Sequence, residues 1–229
     1  AGFFMWIIQN PGMADTLGLL GTKAKFAFGE QAADWPSFLA FIVQMAGIGG
    51  LIMSAVVVTY VYGREYAEGT AKNLLALPIP RRSFVFAKLL VSAFWFLSLS
   101  LTLFISSFIA GWAIGLTGLT AAIVINTGIK ILVLTLLCMG CSTLVSWVAV
   151  INQGYFGPLG YAIFTLMIAM IFGNTGWGPW IPWSIVGLYS GAAGPETGLS
   201  LVSYIIIAGT FLLGLALTMH HEVFADNSQ

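Results

Sequence analysis

Hydrophobic positions dominate the chain in long unbroken runs, and the few polar positions fall between them. No charged residue lies between Phe38 and Tyr62, between Leu89 and Ile129, or between Ile131 and Pro195. Within these runs apolar residues do not alternate with polar ones, which excludes the period-two pattern of a membrane barrel strand. Inside hydrocarbon every backbone polar group must find its partner within the protein, so the runs are expected to be helices. Residues 38–62 form the cleanest span, about 37 Å of helix at about 1.5 Å per residue. Further spans are expected at about 84–112, 122–151, 155–172 and 199–219. The opening stretch, residues 1–8, is apolar but far shorter than the ~20 residues a span needs. It reads as the outer end of a first, truncated span, giving six in total.

The segments between the runs set the topology. Residues 9–37 are polar, with Pro11, Asp15, Lys23, Lys25, Glu30 and Asp34, and either Asp34 or Ser37 suits the N-cap of the next helix. Residues 63–88 are the most charge-dense part, with Arg64, Lys72, Arg81, Arg82 and Lys88 against Glu65 and Glu68. Basic residues in short loops mark the cytoplasmic side. That places this segment inside, the 9–37 loop outside, and both termini in the cytoplasm. Residues 115–120 make an outer turn, and Asn152, Gln153 and Gly154 a short inner one. Between Gly173 and Trp183, glycines and prolines break the chain too often for a through-helix. Its three tryptophans suit an outer interfacial belt or a re-entrant pair of short helices.

Composition agrees with this all-α membrane bundle. Only 7% of the 229 residues are charged and 59% are hydrophobic, whereas a soluble domain carries roughly 25% charged residues. The formal net charge is zero, which argues against a nucleic-acid surface. Cys138 and Cys141 lie in an apolar run and read as buried structural thiols. Gly47, Gly49 and Gly50 offer a small-residue patch for close helix packing, and Gly111 and Gly115 a weaker GxxxG of the same kind. The hydroxyls between Ser98 and Ser107 could line a polar path or bond their own helix, and the second is the simpler reading. Lys130 is an ionisable residue within an apolar region, hence a functional candidate. A fourth span beginning near Ile129 would instead leave it at the outer boundary, with its ammonium reaching water. His220, His221 and Glu222 are neighbours in sequence, so on a helix they point in different directions and read as a solvated helix end rather than a metal site.

The segment from Arg64 to Leu90 carries the most chemistry. Glu68 and Lys72 stand i, i+4 in the favourable order for a helical ion pair. Leu74, Leu75 and Leu77 supply an apolar side, and Pro78 and Pro80 stop the helix. The pattern is an acidic residue, three residues, Gly-Thr, a short helix, a proline turn, basic residues and an apolar span. Here these are Glu65, Gly69, Thr70, Lys72, Asn73, Leu74, Pro78, Arg81, Arg82 and Lys88. This resembles the loop between the second and third spans of type-2 ABC transporter permeases, among them bacitracin and lantibiotic exporters. The six-span plan and the broken segment before the last span resemble that family too.

The resemblance implies a permease subunit of an ATP-driven exporter, with no catalytic, cofactor or metal site of its own. No GxxxxGK[ST] phosphate loop occurs in the chain, so ATP and Mg would be held by a separate cytoplasmic ATP-binding-cassette ATPase subunit. By the resemblance, residues 65–77 would form a coupling helix seated on that ATPase. Glu65, Glu68, Gly69, Thr70, Lys72, Asn73 and Leu74 would make the contact. Arg81, Arg82 and Lys88 would anchor the loop at the cytoplasmic surface. Two permease subunits, identical or not, would enclose a pathway for an amphipathic peptide, antibiotic or lipid-like substrate in a bacterial cytoplasmic membrane. A secondary transporter or channel, and a membrane anchor recruiting a cytoplasmic partner, are the rival readings.

Overall fold

A computed structural model describes residues 34–69, 81–193 and 198–224. The elements are α1 (Trp35–Ala67), α2 (Arg81–Ile114), α3 (Ala121–Asn152), α4 (Phe156–Gly173), a 3₁₀ turn (Gly178–Trp180), α5 (Pro182–Ser190) and α6 (Leu201–Phe224). Among the described residues five helices, all but α5, are long and apolar enough to cross a membrane. The expected span at residues 1–8 lies outside the described residues.

The helix ends obey local chemistry. Asp34 caps α1, its Oδ1 accepting the Ser37 N–H at 3.0 Å, with Pro36 in the first turn. Thr120 caps α3 by accepting the Ile123 N–H. At the end of α2, Gly115 takes a left-handed φ of 73°. The Leu116 N–H reaches back to the Gly111 carbonyl, and the Gly115 N–H to that of Trp112. This is a Schellman ending, which satisfies carbonyls the helix would otherwise leave bare. Gly111 and Gly115 therefore serve different ends: Gly115 turns the chain, while Gly111 makes room for the Trp35 ring.

α3 is the axis of the bundle, packed along most of its length against α1 on one side and α6 on the other. The α3–α6 seam is built from small and hydroxylated residues. Thr143 Oγ1 donates to the Gly140 carbonyl at 2.9 Å, and Ser146 and Thr218 share a hydrogen bond of 2.9 Å across the seam. Gly214 lies flush against the Thr143 backbone, and Gly140 against Ile207. Lipid is as apolar as a leucine surface, so close backbone approach and interhelical hydrogen bonds carry this association. The glycine patch of α1 divides by face. Gly47 meets Ser190 and Gly50 meets the Cys138 Sγ, whereas Gly49 faces open space.

The broken segment holds a 3₁₀ turn and one short helix, α5, that folds in among the longer helices. α5 spans only 9 residues, about 13 Å, and buries Ser184, Ile185, Val186, Gly187 and Leu188 among the longer helices. Ser184 donates to the Ala169 carbonyl at 3.3 Å. Irregular backbone at membrane depth survives only where protein covers it, and here α1, α3 and α4 do so. Trp177 and Trp180 remain exposed beside it, with Trp112 at the same end of the bundle.

At that tryptophan-rich end Trp35 ties α1 to the α2–α3 turn. Its Nε1 donates to the Leu116 carbonyl at 2.8 Å, its backbone N–H to that of Thr117, and its ring stacks on Phe108 at 5.5 Å. The side chain is buried. Trp35→Ala is expected to cost about 3–5 kcal/mol, read as a lowered unfolding midpoint of the detergent-solubilised chain.

Candidate coupling site

The opposite end of the bundle gathers the charged groups. α1 delivers Tyr62 and Glu65, one turn apart, on its last two turns. α2 enters with Lys88 two turns beyond its start, and α6 brings Glu222 on its final turn. The Lys88 Nζ lies 2.8 Å from Glu65 Oε2 and 2.9 Å from Glu222 Oε1. It also sits 5.3 Å above the centre of the Tyr62 ring, and the Tyr62 hydroxyl donates to the Val85 carbonyl at 3.5 Å. The side chains of Lys88 and Glu222 are only 7% and 9% exposed, that of Glu65 27%.

Helix electrostatics make this arrangement instructive. Glu65 and Glu222 occupy the last turns of their helices, where partial negative charge already accumulates and a carboxylate is disfavoured. Lys88 resolves both at once, lying where two negative helix ends and two carboxylates converge. The result is a buried ionic clasp joining α1 and α2 to α6, which is remote from both in sequence. Beside it, Gly63 is flush against the Gly154 carbonyl and the Tyr155 ring. Residues 152–155 form the α3–α4 turn anticipated from the sequence, with Gln153 in a left-handed conformation at φ 49°. The end of α1 thus touches α2, α6 and the α3–α4 turn together.

The residues expected to form one coupling surface separate. α1 ends at Ala67, and the Gly69 φ of 69° turns the chain out of helical register. Of the coupling helix expected over residues 65–77, Glu65 belongs to the spanning helix itself, and residues 70–77 lie outside the described residues. Glu65 turns into the clasp, while Glu68 lies on the exposed face and pairs back to the Arg64 Nε at 2.9 Å. The Arg64 guanidinium also covers the Tyr60 ring at 5.5 Å. Thr70, Lys72, Asn73 and Leu74, with the anticipated Glu68–Lys72 pair, lie outside the described residues. Arg81 opens α2 and Arg82 is exposed beside it. Lys88 was expected with them as a surface anchor; it is instead buried, because two carboxylates await it two turns further along α2.

Glu222 is the residue the sequence reading missed, having been assigned to a solvated helix end. Its one signal was position: a carboxylate ending the last span, on the same side of the membrane as Lys88. No cluster of metal-ligating residues occurs among the described residues. Cys138 and Cys141 are free and buried as expected. The α2 hydroxyls bond their own helix, Ser100 to Leu97, Thr102 to Ser98, Ser106 to Leu103 and Ser107 to Phe104. α3 begins at Ala121 rather than near Ile129, so Lys130 lies about two and a half turns inside it. α3 has 32 residues, about 48 Å against a hydrocarbon core of about 30 Å. If α3 is centred, Lys130 falls about 5 Å below the boundary, a depth its stem can span by snorkelling.

Family comparison fits this architecture. The model of ABC-2 family transporter proteins matches residues 5–173. The chain belongs to the ABC-2 transporter family. It is also similar to the bacitracin transport permease protein of Bacillus licheniformis, 27% identical over 206 residues that cover 87% of this chain and 96% of that protein. No solved structure matches the chain. This ABC-2 chain is therefore a multi-pass membrane protein and the membrane subunit of a transporter, and its family implies work with an ATP-binding-cassette subunit.

Proposed function

We propose that this ABC-2 chain is the permease of an ATP-driven exporter that moves an amphipathic peptide antibiotic outward by alternating access. The observation that carries the reading is the Glu65–Lys88–Glu222 clasp, placed where the loop between α1 and α2 meets the bundle. The ATPase partner, holding ATP and Mg, seats on residues 63–83. Arg64, Arg81 and Arg82 mark this end as cytoplasmic by the basic-residue rule. When the ATPase subunits close, the loop moves, and the clasp makes α1, α2 and α6 move as one body. The α3–α4 turn follows through its contact with Gly63. Two such bundles rocking against each other would open their shared pathway to alternate sides. The bacitracin permease relative supports a peptide antibiotic as cargo.

The clasp distinguishes the two glutamates. Glu65→Gln is expected to lower transport per ATP hydrolysed while leaving the ATPase bound. Glu68→Gln removes only an exposed i, i+4 pair from the ATPase-facing segment, and is expected to weaken seating of the ATPase while leaving the clasp intact. Side-by-side measurement of ATP hydrolysis and transport in both variants checks this. The exporter reading itself is tested in inside-out vesicles carrying the chain and its ATPase. ATP-dependent uptake of bacitracin-type peptide, lost without ATP, is expected. Uptake driven by a proton or sodium gradient alone would replace the exporter with a secondary transporter.

A further inference from the structure

α1 and α2 touch near both ends and part in the middle. At one end Trp35 stacks on Phe108 and fills the notch at Gly111. Towards the other, Ala55, Val58, Tyr62 and Phe96 share one apolar cluster, and Lys88 closes the clasp. Between these contacts an apolar groove of about 330 Å³ opens, with α3 as its floor. Met45, Gly49 and Met53 line the α1 side, Leu99 and Leu103 the α2 side, and Cys138 the base.

The groove lining is almost wholly apolar. Three hydroxyls lie in its walls, and each is committed to its own helix: Ser54 to the Leu51 carbonyl, Ser100 to Leu97 and Thr135 to Ile131. A buried water needs two to four polar partners, and these hydroxyls, their protons already committed, leave only scattered acceptor lone pairs. The walls come from the middle of all three helices, so the groove lies at the depth where the surrounding medium is hydrocarbon alone. It opens sideways to that medium, with Met45 and Met53 about half exposed at its mouth. Methionine walls adapt to a flexible occupant. A volume of this size is at the lower end of small-molecule clefts.

We infer that the groove is a binding site for the acyl chain of a bilayer phospholipid, which wedges between α1 and α2 at mid-membrane. The bound chain completes the packing of two helices that, among the described residues, are pinned towards their ends. This site is independent of the exporter reading and of the nature of the cargo.

The test uses the full chain in proteoliposomes doped with a phospholipid bearing a photoreactive group near the end of one acyl chain. Labelling of residues 45–53 and 99–103 is expected to exceed that of the outward α2 positions Phe94 and Ile109 several-fold, and to saturate. Gly49→Leu places a side chain into space where an added Cβ meets no neighbour within 4 Å. It is expected to abolish the excess while leaving labelling of Phe94 and Ile109 unchanged. Equal labelling of groove and outer face, or an excess that persists in Gly49→Leu, overturns the proposal. Displacement of the label by the exported peptide would overturn it as well, since the groove would then hold cargo. Should the variant fail to insert, native mass spectrometry of the unaltered chain decides: one phospholipid retained through detergent exchange supports the site, and none refutes it.

Discussion

Lys88→Ala is expected to be the most damaging single change at the charged end of the bundle. It leaves Glu65 and Glu222 without their shared cation, on the last turns of two helices whose ends already carry negative character. Removing one partner from a buried ion pair costs about 3–5 kcal/mol, because the other charge stays behind uncompensated. For a chain of this size that lowers the unfolding midpoint by on the order of 10 °C. The informative comparison is the combined Lys88→Met, Glu65→Gln, Glu222→Gln variant. It removes all three charges, and replacing a buried ionic group with neutral side chains of similar size is often neutral for stability. Stability is expected to return, whereas transport per ATP hydrolysed is expected to stay low, because neutral side chains no longer clasp the three helices together. Full transport in the combined variant would reduce the clasp to a structural feature.

Gly214→Ala should loosen the bundle at its longest seam, and Gly209→Ala should do almost nothing. Both glycines lie on α6, and both substitutions improve helix propensity by about 1 kcal/mol. A Cβ at Gly214 would fall 2.6 Å from the Thr143 carbonyl carbon and 2.7 Å from the Leu144 nitrogen, whereas one at Gly209 meets nothing within 4 Å. The Thr143 hydroxyl stands in the way as well, and two of the obstacles are backbone atoms that cannot swing aside, so α6 must move away from α3. That lengthens the Ser146–Thr218 hydrogen bond and breaches the bundle's most extensive seams. Overpacking of this kind costs about 1–3 kcal/mol or more. Size-exclusion profiles of the two variants across a temperature series should separate clearly, with Gly209→Ala matching or exceeding the parent. Equal behaviour would mean that the α3–α6 contact is looser than the structure describes.

The sequence displayed the spans because charge is so costly in hydrocarbon that its absence over long runs leaves few alternatives. It displayed the break before the last span because Gly and Pro between residues 173 and 183 forbid a through-helix. The α2 hydroxyls were legible for a similar local reason, since a serine in a helix has its own carbonyls within reach. The clasp was not legible. Lys88 and Glu222 are separated by 134 positions, and a charged residue at a span end looks the same whether it meets water or a partner. Only the convergence of α1, α2 and α6 separates those outcomes. The glycine patch shows the same limit: Gly47, Gly49 and Gly50 are near neighbours in sequence, yet Gly47 seats Ser190 while Gly49 and Gly50 line a groove. Likewise Glu65 and Glu68 read as one acidic surface until the position of α1 turned one inward and the other out.

The central claim is that this ABC-2 chain works as the permease of an ATP-driven machine. It is tested most directly by gently solubilising the chain from its native membrane and assaying what accompanies it for ATP hydrolysis. The account predicts a stoichiometric ATP-binding-cassette subunit with measurable ATPase activity, lost when residues 65–73 are replaced by a flexible sequence. A chain that purifies alone, with no ATP hydrolysis, would contradict it.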